Sequence, residues 1–170
     1  MILLAFGGNL PSPVGPPVAT FAAVCGRFEG YRITLRRLSA LYISTPQPTS
    51  DQPDFVNAVA LVETALPPLD LLATLQRIEG EFGRLRGERW AARPLDLDLL
   101  AYDERIYVPA APGELALPHP RLHLRRFVLR PLADVAPGWR HPVSGLPVER
   151  LLAALGEAQP LRPYRGMGAD

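Results

Sequence analysis

Lysine is missing altogether: all 18 basic residues of this 170-residue chain are arginine. The absence excludes any chemistry that needs a lysine, including a P-loop or a Schiff base. With alanine, leucine and 20 prolines abundant, it reads as the mark of a GC-rich coding sequence, so a single arginine is weak evidence of guanidinium chemistry. Cysteine is nearly missing too. Cys25 stands alone, which rules out an internal disulfide and any metal-type cysteine spacing, and it reads as a buried structural thiol. No sign of charge dominates, since the net charge is +1, and this argues against a dedicated nucleic-acid binder. Long apolar runs are absent: nothing approaches the ~18 residues of a membrane span. "MILLAF" runs straight into Gly7-Gly8-Asn9, too short for a signal h-region and without a basic start. The expected location is the cytoplasm, with no membrane partner.

What is present is the composition of a globular protein, 48% apolar and 21% charged. The length suits one domain over 1–170, with 160–170 expected as a flexible tail. Prolines punctuate short elements. "ILLAF" (2–6) has buried-strand length, and Pro16-Pro17 suits the first turn of a helix running through about Phe28. "RRLSALYIS" (36–44) and "FVNAVALVET" (55–64) read as strands around a Pro-rich loop. The clearest helix is "PPLDLLATLQRIEGEFGR" (67–84), with Leu71, Leu75, Ile78 and Phe82 on one face. A strand over "LDLDL", a hairpin about Asp103-Glu104 into "RIYV", a partly helical "LPHPRLHLRRFVLRPLADVAP" and a short helix in "PVERLLAALG" complete the reading. Strands and helices mix without a βαβ beat, which predicts an α+β domain with a mainly antiparallel sheet.

"RPLDLDLLAY" (93–102) raises a question of charge. Alternation sends Asp96 and Asp98 to one face and Leu95, Leu97 and Leu99 to the other. Same-face neighbours lie about 6–7 Å apart, and at an effective dielectric of ~20 their repulsion is on the order of 2–3 kcal/mol. Solvent at a charged edge strand would offset it. So would a divalent cation, because Mg²⁺ is commonly held by one or two carboxylates plus substrate phosphates.

Four other groups bear on the choice. "GRLRGERWAAR" places Arg84, Arg86, Arg89 and Arg93 among glycines and Trp90, ending on the aspartate strand. This is either a solvated basic loop or cations for a polyphosphate with its metal. "LPHPRLHLRRF" holds His119, Arg121, His123, Arg125 and Arg126; Pro120 argues against a regular helix with paired histidine ligands, and His119 and Arg125 suit phosphate contacts. Asn57 shares a strand face with Phe55, pairing an amide with an aromatic plane, as a heterocycle or plain sheet packing would use. Gln76 and Glu79 lie one turn apart on the long helix, on what could be no more than a solvated flank.

Together these stretches resemble one family, the 6-hydroxymethyl-7,8-dihydropterin pyrophosphokinases. The resemblance runs through "FGGNL", "YISTP" with "DQPDFVNAV", "LQRIEGEFGRLR", "RWAARPLDLDLLAY" and "LPHPRLHLRRFVLRPLADVAP", roughly residues 2–142 in order. It implies a ferredoxin-like, three-layer αβα domain that moves pyrophosphate from ATP to the pterin's hydroxymethyl oxygen in folate biosynthesis, leaving AMP. It implies two Mg²⁺ on Asp96 and Asp98; separately, a monomer with no nucleic-acid partner is expected. Arg84 and Arg93 join the two aspartates as catalytic residues. Gln76, Glu79, Arg86, Trp90, His119 and Arg125 are expected at ATP. Ser44, Pro46, Gln47, Phe55, Asn57, Phe127 and again Trp90 are expected at the pterin.

The chain departs from the family pattern in places. The usual G-S-N is Gly7-Gly8-Asn9, and W-G-P-R-T-L-D is Trp90-Ala91-Ala92-Arg93-Pro94-Leu95-Asp96. The arginine loop is short and lysine-free, and Arg126 stands where many members have a small residue.

Overall fold

The computed structural model describes residues 1–46, 50–84, 91–111 and 114–166. The N-terminal apolar run forms β1 (Ile2–Gly8), a central strand buried on both faces, as its unbroken apolar sequence requires. It pairs antiparallel with β4 (Phe55–Glu63) on one side and β5 (Asp96–Tyr102) on the other. β2 (Thr34–Leu38) and β3 (Tyr42–Ser44) both pair with β4, at different ends, and β6 (Leu161–Pro163) adds to β3. The sheet order is β5-β1-β4-β3-β6, with β2 beside β3 on β4.

Helices α1 (Pro17–Arg27) and α2 (Pro68–Glu81) each start with proline in the first turn, where its missing N–H costs nothing. They cover one sheet face over Phe6, Phe21, Phe28, Leu75 and Ile78. Helices α3 (Arg126–Val135) and α4 (Val148–Leu155) cover the other, over Leu3, Val59, Leu100, Leu129 and Leu132. The result is the expected three-layer, antiparallel, ferredoxin-like arrangement. No helix among the described residues is long and apolar enough to cross a membrane.

Three local expectations need correction. Residues 36–44 are not one strand: the Ser39 hydroxyl accepts the Val59 N–H at 3.0 Å, so a side chain replaces a ladder carbonyl and β2 ends there. "RIYV" does not return along β5. Asp103 turns the chain with φ 49°, and Tyr107 makes only an isolated bridge to Leu117. Ile106 and Val108 are exposed, so nothing apolar holds a hairpin there. Of the stretch expected as a flexible tail, residues 161–163 pair with β3 as β6.

A bulge sets the functional face. The β1–β5 register shifts between Leu3 and Leu4, leaving Leu100 as an extra residue on β5. Before it, Leu95, Leu97 and Leu99 face α1 and α2, while Asp96 and Asp98 share the α3 face with Leu100. Since α3 begins only at Arg126, the ends of β1, β4 and β5 around Gly7, Asn57 and Asp96 extend past it into an open cavity.

Gly8 closes β1 against the segment that leads into β5. A Cβ there would lie 2.5 Å from the Pro94 carbonyl oxygen, a backbone atom that cannot swing aside. The expected outcome for Gly8→Ser is a loss of about 1–3 kcal/mol in urea denaturation, the usual range for overpacking. Wild-type stability for that variant would show that the 93–95 segment yields freely.

Candidate active site

The sheet register itself assembles the site. Asp96 pairs with Gly7 on β1, Gly7 pairs with Asn57 on β4, and Asn57 pairs with Tyr42 on β3. Directly opposed residues in antiparallel strands send their side chains to the same face. Asp96 and Asn57 therefore flank Gly7, two strand spacings or about 10 Å apart. Ala5, in the next row beside Asp98, and Gly7 make a flat floor. The cavity above holds about 600 Å³, and Ser44, Phe55, His119, Arg121, Arg125 and Phe127 stand around it.

Each arginine reaches the aspartates from a different anchor. Gly83, at φ +88°, adopts the left-handed conformation that glycine tolerates, and it turns the chain off α2 toward β5. Arg84, the next residue, donates from Nη1 to Asp96 Oδ1 at 2.5 Å and to Glu79 Oε1. Glu79 also accepts the Leu97 N–H at 2.6 Å, which satisfies an outward-facing backbone group of the edge strand β5. Arg93 donates to the other Asp96 oxygen at 3.0 Å. Its backbone is held by Asn9, whose Oδ1 accepts the Arg93 N–H at 2.8 Å while its N–H donates back to the Arg93 carbonyl at 2.9 Å. Asn9 Nδ2 donates in turn to the Pro53 carbonyl and to Gln52, so one buried amide ties the arginine segment to the loop before β4.

Asp98 is less well compensated. Its ion pair is with Arg125, at 3.8 Å. Its side chain keeps 36% of its surface accessible toward the cavity but is enclosed by protein on its other sides. Burial, and then the Asp96 charge, push its carboxyl up to about 6 against the pull of Arg125, Arg84 and Arg93. His119 is held neutral: burial, then Arg125 and Arg121, bring it down to about 4. Its Nδ1 accepts the Arg121 N–H at 3.2 Å, which assigns the proton to Nε2 and makes that atom a donor. With His119 neutral, four arginines face two aspartates around the cavity, an excess of positive charge that favours an anion.

On the other flank, Asn57 is buried, and its Nδ2 donates to Ser44 Oγ at 2.9 Å, the Phe55 carbonyl at 3.2 Å and the Tyr42 carbonyl at 3.3 Å. The amide is thus fixed before any ligand arrives. Phe55 and Phe127 line the same end, with the Arg125 guanidinium 5.5 Å from the Phe127 ring centre.

Of the residues singled out in the sequence, Ser44, Phe55, Asn57, Arg84, Arg93, Asp96, Asp98, His119, Arg125 and Phe127 come together here. Pro46 is buried beside them without lining the cavity, and Gln76 is exposed on α2. Glu79, expected at ATP, is turned instead to Leu97 and Arg84 because the β5 edge needs an acceptor there. Gln47, Arg86 and Trp90 lie outside the described residues. Two residues had no assigned role in the sequence. Arg121 sits within the P-H-P-R stretch, and Asn9 within "GGN", but nothing local says that the latter's amide clamps two distant segments.

The family model described as 7,8-dihydro-6-hydroxymethylpterin-pyrophosphokinase (HPPK) matches residues 3–137. The chain belongs to this family. It is accordingly an enzyme, a pyrophosphokinase of folate biosynthesis. A Pseudomonas aeruginosa relative named 2-amino-4-hydroxy-6-hydroxymethyldihydropteridine pyrophosphokinase is 45% identical over 155 residues, covering 90% of this chain and 90% of its own. The Schizosaccharomyces pombe folic acid synthesis protein fol1 is 34% identical over 161 residues, 95% of this chain but only 21% of that protein. Among solved structures, Plasmodium falciparum HPPK-DHPS with STZ-DHP shares the fold at a TM-score of 0.71 and 14% identity, covering 90% of this chain and 42% of that one. This pyrophosphokinase thus spans under half the length of that solved chain.

The pH dependence of the ligand-free enzyme follows from its buried carboxyls. Burial raises Glu79 from 4.5 to about 7, so between those values the folded state binds a proton that the unfolded chain has released. Stability then falls as pH rises from about 4.5 to about 7 and is level above it, with Asp98 contributing in the same direction up to about 6. Melting temperatures measured without metal across this range are expected to decline, and Glu79→Gln to reduce the slope. A melting temperature that climbs over the same interval would contradict this assignment.

Proposed function

We propose that the cavity binds ATP with Mg²⁺ on the Asp96–Asp98 side and 6-hydroxymethyl-7,8-dihydropterin on the Asn57 side. The observation that carries this reading is the single cross-strand row in which Asp96 and Asn57 flank the bare floor at Gly7. A spacing of about 10 Å suits a flat bicyclic ring with its hydroxymethyl arm turned toward the aspartates.

Two carboxylates on one strand face, one of them strained by burial and by its neighbour, fit a hard divalent cation whose shell is completed by phosphate and water. Asp96 and Asp98 would hold two such ions, which supply charge neutralisation and make the attacking hydroxyl easier to deprotonate. The remaining work belongs to the chain. Arg84, Arg93, Arg121 and Arg125 meet the phosphate charge, His119 donates from Nε2, and the N-terminus of α3 opens toward the same space. Asn57 reads the donor–acceptor edge of the pterin, with Ser44 fixing the amide and Phe55 and Phe127 offering aromatic faces. The hydroxymethyl oxygen attacks the β-phosphorus in line and gives up its proton to solvent, the bond from that phosphorus to the α–β bridging oxygen breaks, and AMP leaves. Positioning and charge stabilisation account for the catalysis, and no side chain is required as a general base. Glu79 acts through Arg84 and Leu97 as a positioning residue.

The test is AMP release from ATP and Mg²⁺ in the presence of the pterin. Dependence on the pterin is expected, and AMP released equally without it would point to a nucleotide hydrolase. Asp98→Asn should lower turnover by more than about 100-fold, while leaving the apo melting temperature level or raised, since it removes a repulsion. A large fall in that temperature would make the pair structural.

Asn57→Ala should weaken the pterin by about 5- to 150-fold, the equivalent of about 1–3 kcal/mol for an unmatched polar edge, with ATP affinity unchanged. Calorimetry showing equal losses for both ligands would remove Asn57 from the pterin site.

A further inference from the structure

Arg125 lies between two short helical segments. It is a single extended residue, φ −123° and ψ 108°, joining the turn at Leu122–Leu124 to α3. Its own N–H reaches the Leu122 carbonyl only at 3.4 Å, and its side chain gives α3 no cap. Yet its guanidinium is largely enclosed, 3.8 Å from Asp98 and stacked toward Phe127. Local bonding holds the Arg125 carbonyl, which accepts the Val128 and Leu129 N–H groups at 3.1 and 3.0 Å, but leaves the flanking Leu124 carbonyl and Arg126 N–H to be met from elsewhere.

The chain after α4 meets both. Gln159 Oε1 accepts the Arg126 N–H at 2.8 Å, taking an orphan donor of the first turn of α3. Gln159 Nε2 donates to the Leu124 carbonyl at 2.8 Å. One amide thus holds the backbone on both sides of Arg125. Arg126 secures the amide in return. Its guanidinium forms two bonds of 2.8 Å to the Glu157 carboxylate and reaches the Gln159 carbonyl at 3.4 Å. The segment is anchored at both ends, by α4 before it and by β6 after it, and it lies beyond the 3–137 stretch that the family model matches.

We propose that Gln159 is a positioning residue for Arg125, so that this C-terminal segment sets the aim of a phosphate-binding arginine about 34 residues upstream of it in the chain. The inference rests on the reading of Arg125 as a contact to ATP. Gln159 touches neither substrate. It acts by fixing the peptide units at 124–126, and Glu157 and Arg126 keep it there.

A kinetic cycle separates this from a general loss of stability. Steady-state AMP formation at varied ATP is measured for wild type, Arg125→Ala, Gln159→Ala, Gln159→Glu and the Arg125→Ala/Gln159→Ala double variant, well below every melting temperature. Gln159→Ala should lower kcat/KM for ATP by roughly tenfold, what the loss of such hydrogen bonding is worth, with KM for the pterin unchanged. Gln159→Glu, which can still accept from Arg126 but not donate to Leu124, should fall between. In the Arg125→Ala background, Gln159→Ala should cost nothing further. A loss that multiplies onto that of Arg125→Ala, or wild-type kinetics for Gln159→Ala while Arg125→Ala is impaired, overturns the inference. Wild-type kinetics for Arg125→Ala overturns the underlying assignment of Arg125 instead.

Discussion

Two like charges on one face of an edge strand are the constraint around which this molecule is arranged. Asp96 and Asp98 cannot be paired by their own strand, so compensation must arrive from elsewhere in the chain. It arrives as arginines: Arg84 from the end of α2, Arg93 from the segment preceding β5, and Arg125 from the entry to α3. A planar guanidinium can serve two acceptors at once, as Arg84 does for Glu79 and Asp96, which a point charge on a flexible stem does less well. In a chain without lysine, the guanidinium carries the whole electrostatic load of the site. Each arginine is itself anchored, by Gly83 and Glu79, by Asn9, and by the segment at Gln159. The site is therefore a meeting of both helical layers at the uncovered end of the sheet.

Much of this was legible in the sequence, because it rests on short-range periodicity. The alternation in "LDLDL" put both carboxylates on one face, and the apolar spacing of 67–84 defined α2 within three residues at either end. The motifs named the family and gathered ten of the expected site residues into one cavity. What escaped depends on contacts across the chain. Ser39 carries no local sign that its hydroxyl will replace a strand partner. "LRP" is too short and too proline-bearing to read as a strand, and only the exposed edge of β3 makes it one. Glu79 was placed at ATP by the family resemblance alone, and nothing in its helix shows that the Leu97 N–H of a distant strand draws its carboxylate inward.

Two departures from the family pattern also prove to be neighbours. Gly8 stands where serine is usual and Pro94 where threonine is usual, and the two meet where a side chain at 8 would collide with the carbonyl of 94. The close approach accounts for glycine at 8; nothing in the structure explains proline at 94. Neither substitution can be judged alone, since the approach of β1 to the 93–95 segment also carries the Asn9–Arg93 bonds.

The break at Ser39 has a consequence for motion. Had 36–44 been one continuous strand, Ser44 and the loop beyond it would be welded to the full length of β4. Instead β3 holds only three paired positions on β4 and three on β6, next to a separate β2. Such a unit can exchange its amide hydrogens through a local opening, at a free energy well below that of the central β1–β4 ladder. The wall of the cavity at Ser44 thus rests on a short strand, while the carboxylates opposite it stand next to the central strand β1. The two flanks of the cavity differ in how much paired strand stands behind them.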